Sequence, residues 1–162
     1  MSTDATHEVR NQSTPLVGVN LYEGDRALRD ALAFHRPGAD ENARHALGAM
    51  LGSAAMQQHA RLANLHRPVL HTHDRVGHRI DEVEFHPSYH ALIGAAIGAG
   101  LHATPWTRGP GAHVERAAAF VQFTALEPSV LCPVSMTYAV APALAGNAAV
   151  HADWFARLAS TA

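Results

Sequence analysis

The sequence has 162 residues, which is enough for one domain with an apolar core and too few for two domains. Charged residues make up 16% of it, below the share of about 25% in typical soluble domains, and the net charge is −2. All twelve cations are arginines, which excludes chemistry that needs a lysine, such as a Schiff base or a P-loop. The single cysteine, Cys132, excludes an internal disulfide and a zinc site built on several thiolates.

Residues 1–24 are polar and show no sustained hydrophobic period. We interpret them as an N-terminal arm that lies on another surface or stays mobile, and residues 25–162 as a single domain. The beginning of the chain lacks the basic and apolar regions of a secretory signal, and no apolar run reaches the length of a membrane span. We therefore expect a cytoplasmic protein that does not associate with membranes.

Seven segments have the apolar spacing, capping residues or flanking breakers that are typical of helices. They are residues 25–36, 40–51, 54–64, 87–100, 112–126, 133–144 and 148–158. Asp25 and Ser53 are the expected N-caps of two of them, and Gly100 is the expected glycine after another. The segment 133–144 is apolar all round, which predicts a buried helix.

Residues 69–85 alternate apolar and polar side chains on both sides of a turn at residues 74–77, which predicts a β-hairpin. Residues 104–111 contain Trp106 and a Gly-Pro-Gly sequence, so we expect a loop there. The predicted fold is an all-α helical bundle with one small inserted β-hairpin.

Five of the 13 histidines lie between residues 71 and 90. His71 and His73 would share a strand face, and His86 and His90 have the spacing of helical metal ligands. Pro87, however, places His86 at or before the start of the helix, and no recognised metal-binding spacing is present. A histidine-rich surface hairpin with capping histidines is the favoured interpretation, and a metal site is the alternative.

The predicted hairpin also carries carboxylates that could form an acid/base pair: Asp74, Asp81, Glu82 and Glu84. Alternating charges on two paired strands more commonly form a solvated, ion-paired face, and we favour that interpretation.

Cys132 enters the apolar segment 133–144, and we expect a buried thiol that behaves as a small hydrophobic side chain. Ser135 and Thr137 are hydroxyls in the same segment. Such hydroxyls usually bond back to a carbonyl one turn earlier, but they can also present a polar point to a ligand.

Several motifs, in order along almost the whole chain, carry a resemblance to a known family. They are residues 11–16 (NQSTPL), 20–22 (NLY), 47–52 (LGAMLG), 60–64 (ARLAN), 73–90 (HDRVGHRIDEVEFHPSYH), 100–102 (GLH), 105–106 (PW), 111–117 (GAHVERA), 131–139 (LCPVSMTYA) and 153–158 (DWFARL). The chain resembles the N-terminal helical domain of AidB-like acyl-CoA dehydrogenases, flavoproteins of the response to alkylation damage. It departs from the family at residues 128–131, where Pro-Ser-Val-Leu replaces a glycine turn.

The resemblance implies that full-length relatives also have a β-barrel domain that helps to bind FAD, a helical domain with the catalytic acid, and a basic C-terminal region that contacts DNA. We expect this chain to lack the β-barrel and C-terminal domains, to contain no catalytic residue and to bind no cofactor or metal alone. Its expected partners are those other domains or further copies in an oligomer. If residues of this chain face the acyl or flavin cavity, the resemblance points to Ser135, Met136 and Thr137; the alternative is that all three belong to the core.

Two other functions remain open at this stage. The low charged fraction and the apolar segment 133–144 are also compatible with a stand-alone protein-interaction module. A histidine-rich metal-binding protein is the third possibility.

The charge predicts how the chain behaves towards duplex DNA. Near pH 7.5 and at about 150 mM salt we expect no binding, because the net charge is −2 and phosphate contacts supply most non-specific affinity. Near pH 6 about three quarters of 13 exposed histidines would be protonated, which brings the net charge to about +8 and gives weak, salt-sensitive retardation. Gel shifts at both pH values test this, and tight, salt-resistant binding near pH 7.5 would contradict it.

Overall fold

A computed structural model of the protein describes residues 8–161, so residues 1–7 of the predicted arm lie outside the described part. Seven helices, two strands and a short 3-10 helix at Thr104–Thr107 follow one another along it. The helices are α1 (Arg26–His35), α2 (Glu41–Leu51), α3 (Ala54–Leu65), α4 (Pro87–Gly98), α5 (Ala112–Leu126), α6 (Leu131–Leu144) and α7 (Ala148–Leu158). The strands are β1 (Val69–His73) and β2 (Arg79–Glu84). The predicted all-α fold with one hairpin is confirmed.

The helix ends lie where the capping residues predicted them. Asp25 accepts a hydrogen bond from the backbone N–H of Leu28 at the start of α1, and Ser53 accepts one from Met56 at the start of α3. Gly100 follows α4 with a φ of 74°, the left-handed conformation that favours glycine after a helix. Local sequence therefore determines these boundaries.

The core is built around α5, which packs against α1, α2, α3 and α6. Phe123 of α5 is completely buried and shares the main apolar cluster with Leu51 of α2, Leu92 of α4 and Leu131 of α6. A smaller cluster joins Tyr22, Leu32 and Ala118 where α1 meets α5. The described helices are thus held together by apolar burial around one central helix.

The second half of the N-terminal arm lies on α2. The backbone N–H groups of Gly18 and Leu21 donate to the carbonyl oxygens of Gly52 and Gly48, at 2.8 and 3.2 Å. A Cβ atom on Gly52 would collide with the carbonyl oxygen of Val19, and one on Gly48 would collide with the arm at Tyr22. The two glycines, one turn apart at the end of α2, therefore provide the space in which the arm docks.

The hairpin projects from the helical body, and all six residues of β2 are exposed. The His71 and Glu84 side chains approach within 2.7 Å across the two strands. Asp74 accepts the backbone N–H groups of Val76 and His78 in the turn, and these bonds, that of His78 foremost, hold the pKa of Asp74 below its ordinary value. The predicted solvated face is confirmed, but its pairing is mixed: His71 and Glu84 pair across the strands, whereas Arg79 pairs with Asp81 within β2.

Two predictions about local structure were wrong. The expected loop after residue 104 contains a 3-10 helix, and Pro105 suits its first turn, where no N–H is needed. The helix predicted from residue 133 begins at Leu131 and is not buried all round, since its most buried residues are Leu131, Val134 and Ala141. Its neighbours cover one side of it, and Met136 on another side is 67% exposed.

No helix in the described part of the chain is both long and apolar enough to cross a membrane.

The docking of the arm predicts opposite effects for two glycine-to-alanine substitutions. Gly52→Ala should lower the free energy of unfolding by about 1–3 kcal/mol, because the new methyl group requires the arm to move away from α2. Gly94→Ala is the matched control: Gly94 lies inside α4 with open space at its Cβ position, so stability should rise by up to about 1 kcal/mol. Urea denaturation followed by circular dichroism measures both, and equal effects would show that the arm is not docked in this way.

Candidate functional site

Helix α6 carries Ser135, Met136 and Thr137, the three residues predicted to face a ligand cavity. The buried carboxylate of Glu127 fixes the turn before this helix. Glu127 is only 5% exposed; it accepts the backbone N–H of Ser129 and a hydrogen bond from the Asn64 amide of α3. Burial alone would raise the pKa of Glu127, but the bonds from the Ser129 hydroxyl, the Ser129 N–H and Asn64 outweigh it. The pKa of Glu127 therefore lies below its ordinary value, and the carboxylate is charged at neutral pH.

The three predicted residues, Ser135, Met136 and Thr137, differ in exposure and in surroundings. Thr137 is half-buried and donates from its hydroxyl to the Pro133 carbonyl oxygen at 3.2 Å. This is the bond to a carbonyl one turn earlier that is usual for a hydroxyl inside a helix. Ser135 is also half-buried, whereas Met136 points outward. Thr137 lines a cleft that the other two do not reach, so the three side chains do not form one continuous surface.

The cleft at Thr137 lies between α4, α6 and the end of α7 and has a volume of about 310 Å³. Its floor is apolar and includes Ile93, Ile97 and Val134. Four residues with polar side chains line it: His102, Thr137, Arg157 and Ser160. An apolar floor with a few polar groups suits a mostly apolar ligand with one polar or anionic end.

His102 is the most deeply buried polar side chain of the cleft, at 3% exposed. Its Nε2 atom lies 3.0 Å from the Thr104 hydroxyl, which holds the ring in place. Because the residues lining the cleft include no aspartate or glutamate, the described cleft offers binding groups rather than a carboxylate base.

The adjacent face of α6 joins an aromatic cluster that we define as Trp106, His113, Arg116 and Tyr138. The Trp106 indole N–H donates to the Tyr138 carbonyl oxygen at 2.9 Å, and His113 Nδ1 lies 2.7 Å from the Tyr138 hydroxyl. The Arg116 guanidinium stacks 3.8 Å above the Tyr138 ring and donates through Nε to the Leu101 carbonyl oxygen. Burial lowers the pKa of Arg116 and the nearby Tyr138 opposes that shift, which leaves a cation held against a ring.

No sequence pattern predicted this aromatic cluster. Trp106 lies in the segment expected to be a loop, and its partner Tyr138 is 32 residues away along the chain. The local signal is limited to an aromatic residue that follows a proline and precedes a helix. The cluster links the 3-10 helix, α5 and α6, and so fixes the rotation of α6.

The prediction for Cys132 was also wrong, because the thiol expected to be buried is exposed. It lies in the first turn of α6, one turn before Met136 and on the same exposed side. A helix that is apolar on every side gives no sequence signal of which side faces the core.

The clustered histidines have separate partners. His71 contacts Glu84, His78 contacts Asp74, and His86 caps α4 as the position of Pro87 predicts. Within residues 8–161 no three histidine, cysteine, aspartate or glutamate side chains are placed to hold one metal ion.

Two solved structures have a fold similar to that of this chain. The apo form of Bd2924 superposes with a TM-score of 0.79 at 27% identity, over 88% of this chain and 30% of that one. Caenorhabditis elegans ACDH-11 in complex with C11-CoA superposes with a TM-score of 0.73 at 21% identity, over 98% of this chain and 29% of that one.

Sequence comparison assigns the chain to a particular family. Residues 11–162 match the family described as the adaptive response protein AidB N-terminal domain, and the chain belongs to that family. It is 39% identical over 141 residues to the putative acyl-CoA dehydrogenase AidB of Escherichia coli K12. That match covers 86% of this chain but 26% of the relative, so the chain spans about a quarter of the relative's length. The resemblance found in the sequence is confirmed.

The buried carboxylate before α6 predicts an acid-sensitive contribution to stability. Because the pKa of Glu127 is lower in the folded chain than its ordinary value of 4.5, its contribution is complete above about pH 4.5 and is lost as the pH falls through the folded value. Glu127→Gln should cost about 1–3 kcal/mol at pH 7 and remove part of the stability loss on acidification. Urea unfolding near pH 7 and near pH 4 measures both effects.

Glu23→Gln is the control, since Glu23 is exposed just before α1. An acid response in Glu127→Gln as steep as that of the native chain and of Glu23→Gln would contradict the role given to Glu127.

Proposed function

We propose that this chain acts as the N-terminal helical domain of an AidB-like acyl-CoA dehydrogenase flavoprotein and supplies part of a wall of its acyl or flavin cavity. The wall comprises the outward face of α6, with Cys132 and Met136, and the neighbouring cleft at Thr137. Contacts between subunits are a further proposed role of the same surface. The proposal also includes the response to DNA alkylation, on the basis of the family and of the E. coli relative.

The exposed face of α6 is the observation that carries the proposal. Met136 is 67% exposed on a helix whose other side is buried in the core, and Cys132 on the same side is also exposed. Exposed apolar side chains on a helix with few polar residues indicate a surface that another element covers. In a relative almost four times as long as the matched segment, the remaining domains could provide that cover.

The cleft at Thr137 by itself is not a complete FAD site. The cleft at Thr137 has a volume of about 310 Å³ and one cation, Arg157, whereas FAD carries a diphosphate, an adenine and a large flavin ring. FAD would supply hydride acceptance in the full-length protein. The contribution of this chain would be apolar contact through Met136, a hydroxyl at Thr137 and exclusion of water from one side.

A domain exchange tests the proposal. We expect a chimera in which this chain replaces the N-terminal domain of the E. coli relative to retain FAD after desalting, measured by its visible absorbance, while this chain alone retains none. Met136→Glu in the chimera should lower flavin retention, because the carboxylate would be buried against the added domains.

Phe34→Glu is the matched control, since Phe34 is 79% exposed on α1, which packs on α5. It should leave flavin retention unchanged. Two results would contradict the proposal: stoichiometric flavin on the isolated chain, or equal flavin loss in the two variants of the chimera.

A further inference from the structure

A histidine ring caps the N-terminus of α4. His86 is the N-cap residue, and its Nδ1 atom accepts a hydrogen bond from the backbone N–H of Ser88 at 3.1 Å. A backbone N–H can only donate, so Nδ1 must carry its lone pair and no proton. Serine, threonine, aspartate and asparagine usually cap helices, and none of their side chains loses its acceptor oxygen near neutral pH. A histidine cap differs because protonation of Nδ1 turns the acceptor into a donor.

A second imidazole lies directly on the cap. The rings of His66, at the end of α3, and His86 stack with their centroids 4.6 Å apart and their planes 10° from parallel. The third histidine at this junction is His59 of α3, whose Nδ1 atom lies 3.0 Å from the hydroxyl of the buried Ser88. Three titratable rings thus surround the first turn of α4, and charging both stacked rings would place like charges side by side.

The other charges near the stacked rings do little to offset a positive charge. A surface pocket of about 350 Å³ beside the rings is also lined by Arg67, which is positive, and by Glu84 of β2. Glu84 is already in contact with His71. The first turn of α4 contains no acidic residue, and a helix N-terminus carries partial positive charge. On α4 itself, the rings of Tyr89 and His90 face Phe85.

We propose that the stacked pair of His66 and His86 is a pH-sensitive cap that fixes the hairpin to the start of α4 when both rings are neutral and releases that junction on acidification. The consequence follows from position: β2 ends at Glu84, and His86 is the residue before α4 begins. Loss of the cap would free the first turn of α4 and the base of the projecting hairpin, while the core around α5 remains packed.

The test compares the native chain with His86→Asn, which keeps a favoured cap residue whose oxygen stays unprotonated at both pH values of the test. Hydrogen exchange of the Ser88 amide, expressed as protection relative to an unstructured peptide at the same pH, reports the cap directly. At pH 7.5 the two proteins should be protected equally. At pH 5.5 the native chain should lose about fivefold in protection relative to His86→Asn, the factor that corresponds to a typical helix cap. If the ratio of Ser88 amide protection between the native chain and His86→Asn did not change with pH, the proposal would be overturned.

His66→Phe tests the role of the second ring separately from that of the His86 cap, because phenylalanine keeps the stacked ring and cannot be charged. Its loss of Ser88 protection on acidification should be smaller than that of the native chain. An equal or larger loss would overturn the role of His66. Amides of α5 provide the internal reference: their protection should not follow the cap, and a parallel loss there would show global unfolding instead of local release.

Discussion

Every side of α6 is largely apolar, and the helices packed around it cover only part of that surface. Burying apolar surface contributes roughly 25 cal/mol per Å², so an uncovered apolar helix face is a lost contribution unless another element packs on it. The exposed Met136 and Cys132 lie on this uncovered side. The proposed role of the chain depends on this constraint, since a wall of a cavity is a surface that the rest of a protein completes.

Polar contacts set which side of α6 remains uncovered. The buried Glu127 ties the preceding turn to Asn64 of α3, and the Trp106 indole holds the middle of the helix through the Tyr138 carbonyl oxygen. Stacking of Arg116 on Tyr138 adds a contact from α5. Because these bonds are directional, they restrict rotation of the helix in a way that apolar packing alone does not. They therefore orient both the cleft at Thr137 and the exposed face.

Local sequence signals predicted their elements correctly. The caps at Asp25 and Ser53, the glycine after α4 and the alternation in the hairpin each act within a few residues, and the structure places those elements as predicted. The orientation of α6 could not be predicted, because a helix without a polar side has no hydrophobic period to read. Nor could the contact between Trp106 and Tyr138, which depends on how α5 and α6 pack. The family motifs, in contrast, were readable directly and identified the family correctly.

Chemical labelling of Cys132 measures the cover on α6 most directly. The thiol is exposed in this chain, in the first turn of α6, and is the sole cysteine of the sequence. A maleimide should modify Cys132 rapidly in the isolated chain. Once the remaining domains of the E. coli relative are joined to the chain, modification should be at least about tenfold slower, which corresponds to about 1.4 kcal/mol of protection. Mass spectrometry of the Cys132 peptide follows the modification in both proteins. Equal labelling rates in the two proteins would contradict the account, because they would show that this face of α6 remains open to solvent in the longer protein.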